Sequence, residues 1–396
     1  ERAELLAAYA ARPDADEAAS LEALDMLGAW SEPSPRDRVL GMYRPIETRP
    51  IDDARTALDR HLAAILGRGG SIAERATDIA SRLGIEAIVP RLAERLTDSS
   101  VAGPIRAAAL RALAQLQADD LRARIDTALA SDAPELRAAA ADLLVDLDEV
   151  AAVTALMAGV RSESLAERRA AIVSLGRCRS GGASEVLMTQ GEELAGGRLP
   201  AELTLEVVEA LEAHDGEQAK FFLKEYRDGF SADDPLAEWR PSMLGGDPNR
   251  GRQLFFERAS LSCVRCHTID GVGGQVGPDL SRIGLDKNPE YLLEAIVVPN
   301  KAIAQGFEGI LVQTIDGTVV SGIVRQQDDE KLVLLTAEGN LVTILQEDVE
   351  EIVPGKSSMP DDLTKYLTRS ELRDLVAYLA ERKSDPADAS AHGEGR

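Results

Sequence analysis

Sulfur and imidazole are scarce in this chain, whose 396 residues include three Cys, four His and six Met. Three cysteines cannot make a disulfide framework, and a chain this long can bury two or three cores without one. Positive charge is short as well: 44 Lys and Arg stand against 68 Asp and Glu, a net of -24 with a pI near 4.7. Such a surface disfavours nucleic acid and anionic membranes, so no nucleic-acid partner is expected. The deficit is uneven, at -15 over residues 1–245, -7 over 246–383 and -2 over the remainder. No apolar run approaches the ~18 residues of a membrane span, so no transmembrane segment is expected, and no signal-peptide pattern is visible. Because residue 1 is Glu and not Met, the chain is expected to be a processed product or a piece of something longer. G-x-S-x-G, H-E-x-x-H and phosphate-binding Gly loops are missing, which leaves no other catalytic constellation in view.

Against that scarcity, two Cys and one His fall within five residues, Cys263-Val264-Arg265-Cys266-His267. C-x-x-C-H is the sequence form of c-type haem attachment: two thiols add to the vinyl groups of one porphyrin, and the adjacent imidazole binds its iron. The spacing suits that chemistry, since one turn of chain spans the two vinyls and His267 is then held against the metal. A thioredoxin-like redox pair would follow a β-strand, whereas the residues before Cys263 read as a helix and those after it as a Gly-rich loop. A structural zinc site needs four ligands, and Cys178, His61, His214 and His392 lie far away without paired spacing.

Residues 1–51 read as N-terminal helix up to Trp30 and then an irregular linker that starts at Ser31-Glu32-Pro33-Ser34-Pro35. From 52 to 235, amphipathic helices succeed one another between Gly, Pro, Asp and Ser punctuation. Ile105-Arg106-Ala107-Ala108-Ala109 recurs 31 residues on as Leu136-Arg137-Ala138-Ala139-Ala140, and more loosely at 167–171 after 31 more. Leu113, Leu144 and Leu175 coincide at that spacing, as do Leu116, Leu147 and Cys178. A unit of this length holds one helix pair, and small matched residues let helices approach. The array resembles a HEAT-like α-solenoid, with an irregular helical bundle as the alternative. Cys178 is expected in the core, and His61 and His214, with no second ligand at i+3 or i+4, are expected to be solvated.

Residues 236–304 and 356–383 read as one helical unit around Cys263. Asp247 can cap a helix whose first position is Pro248, and Gly251 and Phe255 share a face of it. The stretch 271–280, which contains Gly277, is too rich in Gly to form an element and suits close wrapping of a flat ligand. These features resemble class I cytochromes c. That resemblance implies that Gly251 and Phe255 cross Leu375 and Tyr378 of the last helix, that the carbonyl of Pro278 accepts the His267 N–H, and that Leu280 packs on the haem. In that family a Met usually arrives shortly after a Pro such as Pro299, yet Met359 comes 60 positions later.

The gap holds short alternating β-branched runs at 307–315, 318–325, 331–336, 341–346 and 349–353, with Asp316-Gly317 and Glu338-Gly339-Asn340 as turn signals. Five short strands suggest a small SH3-like β-barrel inserted at 305–355, with a net charge of -8 against +1 for the cytochrome around it. Met359, in the polar Ser357-Ser358-Met359-Pro360 turn, is favoured as the sixth ligand opposite His267; Lys301, Lys356 and an open position are the alternatives. Residues 384–396 are expected to be a polar disordered tail. The whole succession resembles the haem-binding domain of planctomycete-type large exported proteins, in which a β-propeller dehydrogenase-like domain often precedes the array. A mainly α chain with one covalent haem c and its iron is implied, periplasmic or exported. Electron transfer with a redox partner or a preceding dehydrogenase-like domain is expected, with protein contacts through the helical array. A haem sensor or peroxidase-like enzyme with a displaceable sixth ligand, and an interaction scaffold with a structural haem, are the alternatives.

Overall fold

Alanine and leucine at helical spacing build the first half of the chain. In a computed structural model, which describes residues 2–33, 45–214, 216–258 and 260–383, the helices are Arg2–Ala10 (α1), Glu17–Gly28 (α2), Ile51–Gly67 (α3), Gly70–Arg82 (α4), Val89–Thr97 (α5), Gly103–Gln115 (α6), Leu121–Leu129 (α7), Pro134–Leu147 (α8), Glu149–Val160 (α9), Leu165–Arg177 (α10) and Gly181–Ala195 (α11). Part of the expected linker, at 34–44, and the expected tail at 384–396 with His392 lie outside the described residues. Several helix starts are written locally: the side chains of Asp148 and Ser164 accept from the backbone N–H of Ala151 and Glu167, and Pro104 and Pro134 sit in first turns. The chain packs as two units, Glu1–Val186 and Leu187–Arg396, so the division falls within α11.

In the first unit α6 packs on α8 and α8 on α10, so the helices that carry the 31-residue repeat lie side by side. Ala109, Ala140 and Ala171 are buried in step, as are Leu113, Leu144 and Leu175. The third copy is loose in sequence because Glu167 stands where the second has Leu136. That acid is nonetheless buried, and Arg137 of the preceding copy meets it at 2.8 Å. The second Leu column fails: Cys178 is buried as expected, but its match Leu147 is 56% exposed. Leu147 is the last residue of α8, and the chain turns at Asp148 into α9 before another turn can cover it. Nor is His61 merely solvated, since its Nε2 lies 2.9 Å from Oε1 of Glu4 on α1.

The second unit continues with Thr204–Ala213 (α12), Glu217–Asp228 (α13), Pro248–Glu257 (α14), the single turn Cys263–Cys266 (α15), Ile283–Asp286 (α16), Pro289–Val297 (α17) and Arg369–Ala380 (α18). Helices α12 and α13 read in sequence as the end of the array, which would place a boundary at 235. They fall in the second unit, where acids on α12 meet basic residues of α18. Arg373 and Glu206 form a buried pair at 2.6 Å, and Arg369 reaches Glu212 at 2.9 Å. Asp247 caps α14 by accepting from Asn249 and Arg250, and Thr368 with Glu371 forms a capping box on α18. The two helices cross at Gly251, where a Cβ would lie 2.6 Å from Tyr378 Cβ and 2.7 Å from the Asp374 carbonyl carbon. Only glycine allows that approach. Phe255 and Tyr378 fill the crossing with ring centroids 6.0 Å apart.

Strands Thr268–Ile269 (β1) and Val272–Gly273 (β2) pair as a minimal hairpin, so the Gly-rich stretch contains an element where a plain loop was expected. Gly309–Thr314 (β3), Val319–Gln327 (β4), Lys331–Leu335 (β5), Leu341–Leu345 (β6) and Val349–Pro354 (β7) form one antiparallel sheet in the order β6-β5-β4-β3-β7. It is a meander whose fifth strand returns beside the first, with Gly317 and Gly339 at positive φ in the turns. Alternate residues Val312, Leu332, Leu334 and Ile344 make its core. No helix among the described residues is long and apolar enough to cross a membrane.

Candidate haem site

From the end of α14 the chain turns through Ser262, at φ 52°, into α15. That turn carries both thiols, and the His267 N–H closes it by donating to the Cys263 carbonyl at 2.9 Å. Both cysteines are free. Burial pushes the Cys263 thiol up to about 11 and raises the Cys266 thiol as well. A disulfide-exchanging pair needs the opposite shift.

His267 Nδ1 lies 2.9 Å from the Pro278 carbonyl oxygen. A carbonyl can only accept, so Nδ1 carries the proton and Nε2 keeps its lone pair for a metal. Burial lowers the imidazole pKa, opposed by the bond to Pro278, and the neutral ring is the ligating form. Gly277 lies against that ring: a Cβ there would be 2.5 Å from Cε1 and 2.7 Å from Nδ1 of His267. The loop is tied back to the motif by Gly277 N–H to the Cys266 carbonyl at 2.7 Å and Leu280 N–H to the Thr268 carbonyl at 2.8 Å.

Cys263, Val264, Leu280 and Met359 all pack on the core that contains Phe255, Leu375 and Tyr378. The structure thus brings nearly all the sequence-predicted residues to one core and one loop. Met359 is half-buried; its N–H donates to Ser357 Oγ at 3.2 Å, and the Ser357 N–H donates to Asn300 Oδ1 at 2.9 Å. The thioether turn is therefore pinned just beyond α17. Lys301 is ion-paired with Glu294, and Lys356 is exposed.

Among the described residues no group of three or more His, Cys, Asp or Glu side chains could hold a metal ion. A metal held by His267 would need donors of its own, as a porphyrin supplies. The residues present fit that group: two free thiols, an imidazole with Nε2 uncommitted, a glycine against its ring, and an apolar core carrying a thioether.

Sequence reasoning missed what lies on Cys266. Val276 is buried against Ile323 of β4 and Leu335 of β5, with Cys266 and Phe307 packed on the same cluster. Arg325 donates to the Gln275 carbonyl and sits over the Phe307 ring at 5.4 Å. Gln275 and Arg325 are 50 residues apart, and no local pattern marks such a pairing.

A family model described as cytochrome c matches residues 248–334. The match takes in α14, the Cys263 to His267 turn, Pro278, Leu280 and α17, and it ends within β5, before Met359 and α18. No curated protein matches the chain. The chain therefore contains a cytochrome c domain, which binds haem c covalently with its iron.

Proposed function

We propose that the second unit is an electron-relay module in which Cys263 and Cys266 would anchor the haem and His267 and Met359 would bind its iron. The observation that carries this reading is the His267 ring, its Nδ1 committed to Pro278 at 2.9 Å and its face free of side chain at Gly277. Bound there, the haem would supply one-electron chemistry, and a Met donor together with His would favour a raised potential. Pro278 holds the imidazole angle, while Ser357 and Asn300 hold the Met359 turn. Glu294 occupies Lys301, and Met359, in its pinned turn on the core that Met243 also touches, offers a soft neutral donor. Leu280, Phe255 and Tyr378 provide the apolar surroundings that exclude water.

The rest of the chain suits a relay on an arm. We read the stacked helices from residue 52 as a HEAT-like solenoid that docks an electron donor, either a separate redox protein or a dehydrogenase-like domain preceding it. The haem domain proper is read as 236–304 with 356–383, and the sheet as a small SH3-like barrel inserted at 305–355. Supporting the insertion, the ends of the excursion meet: the Ser357 N–H donates to Asn300, and the Gly355 N–H donates to the Gly309 carbonyl at 2.8 Å. A cytochrome c domain generally implies haem attachment in an extracytoplasmic compartment, and we place the protein in the periplasm or outside the cell.

Two measurements test the reading. The denatured, matured protein should carry the mass of one haem, lost in Cys263→Ala/Cys266→Ala. Spectra of both redox states should show a low-spin haem with the ferric sulfur-to-iron band and resistance to carbon monoxide; Met359→Ala should lose the band, bind the gas and fall in potential. A wild-type protein that is high-spin or binds carbon monoxide readily is a sensor or peroxidase-like enzyme instead. An unchanged band in the variant assigns the sixth position to another group.

A further inference from the structure

We propose that the five-stranded sheet is a positioning element for His267, holding the Gln275-Val276 segment and thereby the Pro278 carbonyl that orients the imidazole. The inference rests on His267 being an axial ligand. Four consecutive residues form the route. The Gln275 carbonyl accepts from Arg325 on β4, and Val276 is buried between Ile323 and Leu335. Gly277 lies against the imidazole and donates to the Cys266 carbonyl at 2.7 Å; Pro278 accepts from His267 Nδ1 at 2.9 Å.

The need for such a clamp follows from the glycines. Contact with the imidazole requires Gly277 to lack a side chain, and that gives the segment leading to Pro278 a freedom no other residue would allow. Its beginning is held, since the Gly274 N–H donates to the Val264 carbonyl at 2.9 Å and Thr268 Oγ1 donates to the Gly274 carbonyl at 2.7 Å. Gln275 and Val276 are the span between, and there the sheet supplies the fixed points. It does so with a face of its own: Ile323 and Leu335 are directly opposite each other across β4 and β5, and they belong to a different cluster from the sheet's own core of Val312, Leu332, Leu334 and Ile344. A sheet that merely filled a loop would not set two apolar residues aside against the haem-attachment turn.

Amide hydrogen exchange on the haem-loaded full chain tests this. Arg325→Ala removes an exposed side chain and Val276→Ala trims a buried one; together they should speed exchange at Gly277 by about tenfold or more. The His267 ring N–H of the reduced protein should exchange faster in parallel. Arg325→Lys, which can still donate to the Gln275 carbonyl, should restore most of the protection lost in Arg325→Ala. Amides of Val312 and Leu334 should be unchanged, and the denatured protein should still carry one haem. Unchanged Gly277 exchange in the double variant overturns the inference. So does a speed-up shared equally by Val312 and Leu334, which would mean a loosened sheet and no specific route. A wild-type protein without covalent haem would sink the parent reading, and is told apart by mass alone.

Discussion

Gly251→Ala puts the helix crossing to a quantitative test. In an exposed helix the change would be favourable, because Ala is preferred over Gly by about 0.8–1 kcal/mol. Here the added Cβ would lie 2.6 Å from Tyr378 Cβ and 2.7 Å from the Asp374 carbonyl carbon, where ordinary contact begins at 3.4 Å. One of those neighbours is backbone, and the Asp374 carbonyl oxygen is nearer still, so α14 and α18 must part by more than an ångström. A gap of that order forfeits roughly a quarter to a half of the dispersion energy across it, and Phe255 and Tyr378, each 2% exposed, are the groups that lose it. Overpacking of this kind costs about 1–3 kcal/mol, occasionally more; with helix preference set against the upper end, the net loss is about 2 kcal/mol. Trp239 packs on the haem-domain core while Trp30 is buried in the first unit, so denaturant unfolding followed by Trp239 emission in a Trp30→Phe background isolates the second unit. A Gly251→Ala midpoint equal to or above that of the parent would refute the crossing as described.

Three further outcomes follow from buried charge and from the unit boundary. Glu206→Gln should destabilise the second unit by about 3–5 kcal/mol by leaving Arg373 buried without its partner, whereas Glu206→Leu with Arg373→Met should recover most of it; a single-variant loss below ~1 kcal/mol would mean the pair is solvated. Burial raises the Asp374 pKa, so the folded state holds that proton to higher pH than the unfolded chain, and the stability this lends at low pH is lost as pH rises through the raised value. Asp374→Asn, which keeps an acceptor for the Asp247 N–H, should therefore gain on the wild type in urea midpoint above the carboxylate range and match it below; a pH-independent difference would refute the assignment. A fragment of residues 187–383 should melt cooperatively, and one of 236–383, without Glu206 and Glu212 but with Trp239 and Met243 of the core, should be markedly less stable; equal midpoints would return the boundary to 235.

What was legible in the sequence was whatever is decided within one turn of chain. C-x-x-C-H, the Asp247-Pro248 helix start and the turns at Asp316-Gly317 and Glu338-Gly339 are local instructions, and the five strands lie within about two residues of where alternation put them. The 31-residue repeat was readable because Ala109, Ala140, Ala171 and their Leu neighbours each face the next helix in the same way. Leu147 misled because a repeat specifies register but not where a helix runs out of neighbours. Nothing local marks Glu167, Glu206 or Arg373 as buried, since burial of an ion pair shows only when the partner, 30 or 167 residues away, is brought alongside. The contact of Val276 with Ile323 and Leu335 was invisible for the same reason: an apolar residue in a loop and two in strands carry no mark of belonging together.

The sheet raises a physical question, namely how an excursion of 56 residues between Asn300 and Ser357 leaves the Met359 turn on the same core as α14. Length itself is a small obstacle, because each doubling of a loop adds only about 0.6 kcal/mol of closure entropy. Freedom inside the loop is the larger one, at roughly 1–2 kcal/mol per residue fixed, and the sheet offsets it with its own core. The two ends are then pinned twice, at Gly309 with Gly355 and at Asn300 with Ser357. To the helices, the excursion amounts to a short connection from α17 to the Met359 turn. The cytochrome c match stops at residue 334, inside that excursion, yet α18 beyond it still meets α14 at Gly251. That crossing joins the first and last helices of the haem domain, so it depends on the ends of the excursion being held together and not on what the excursion contains.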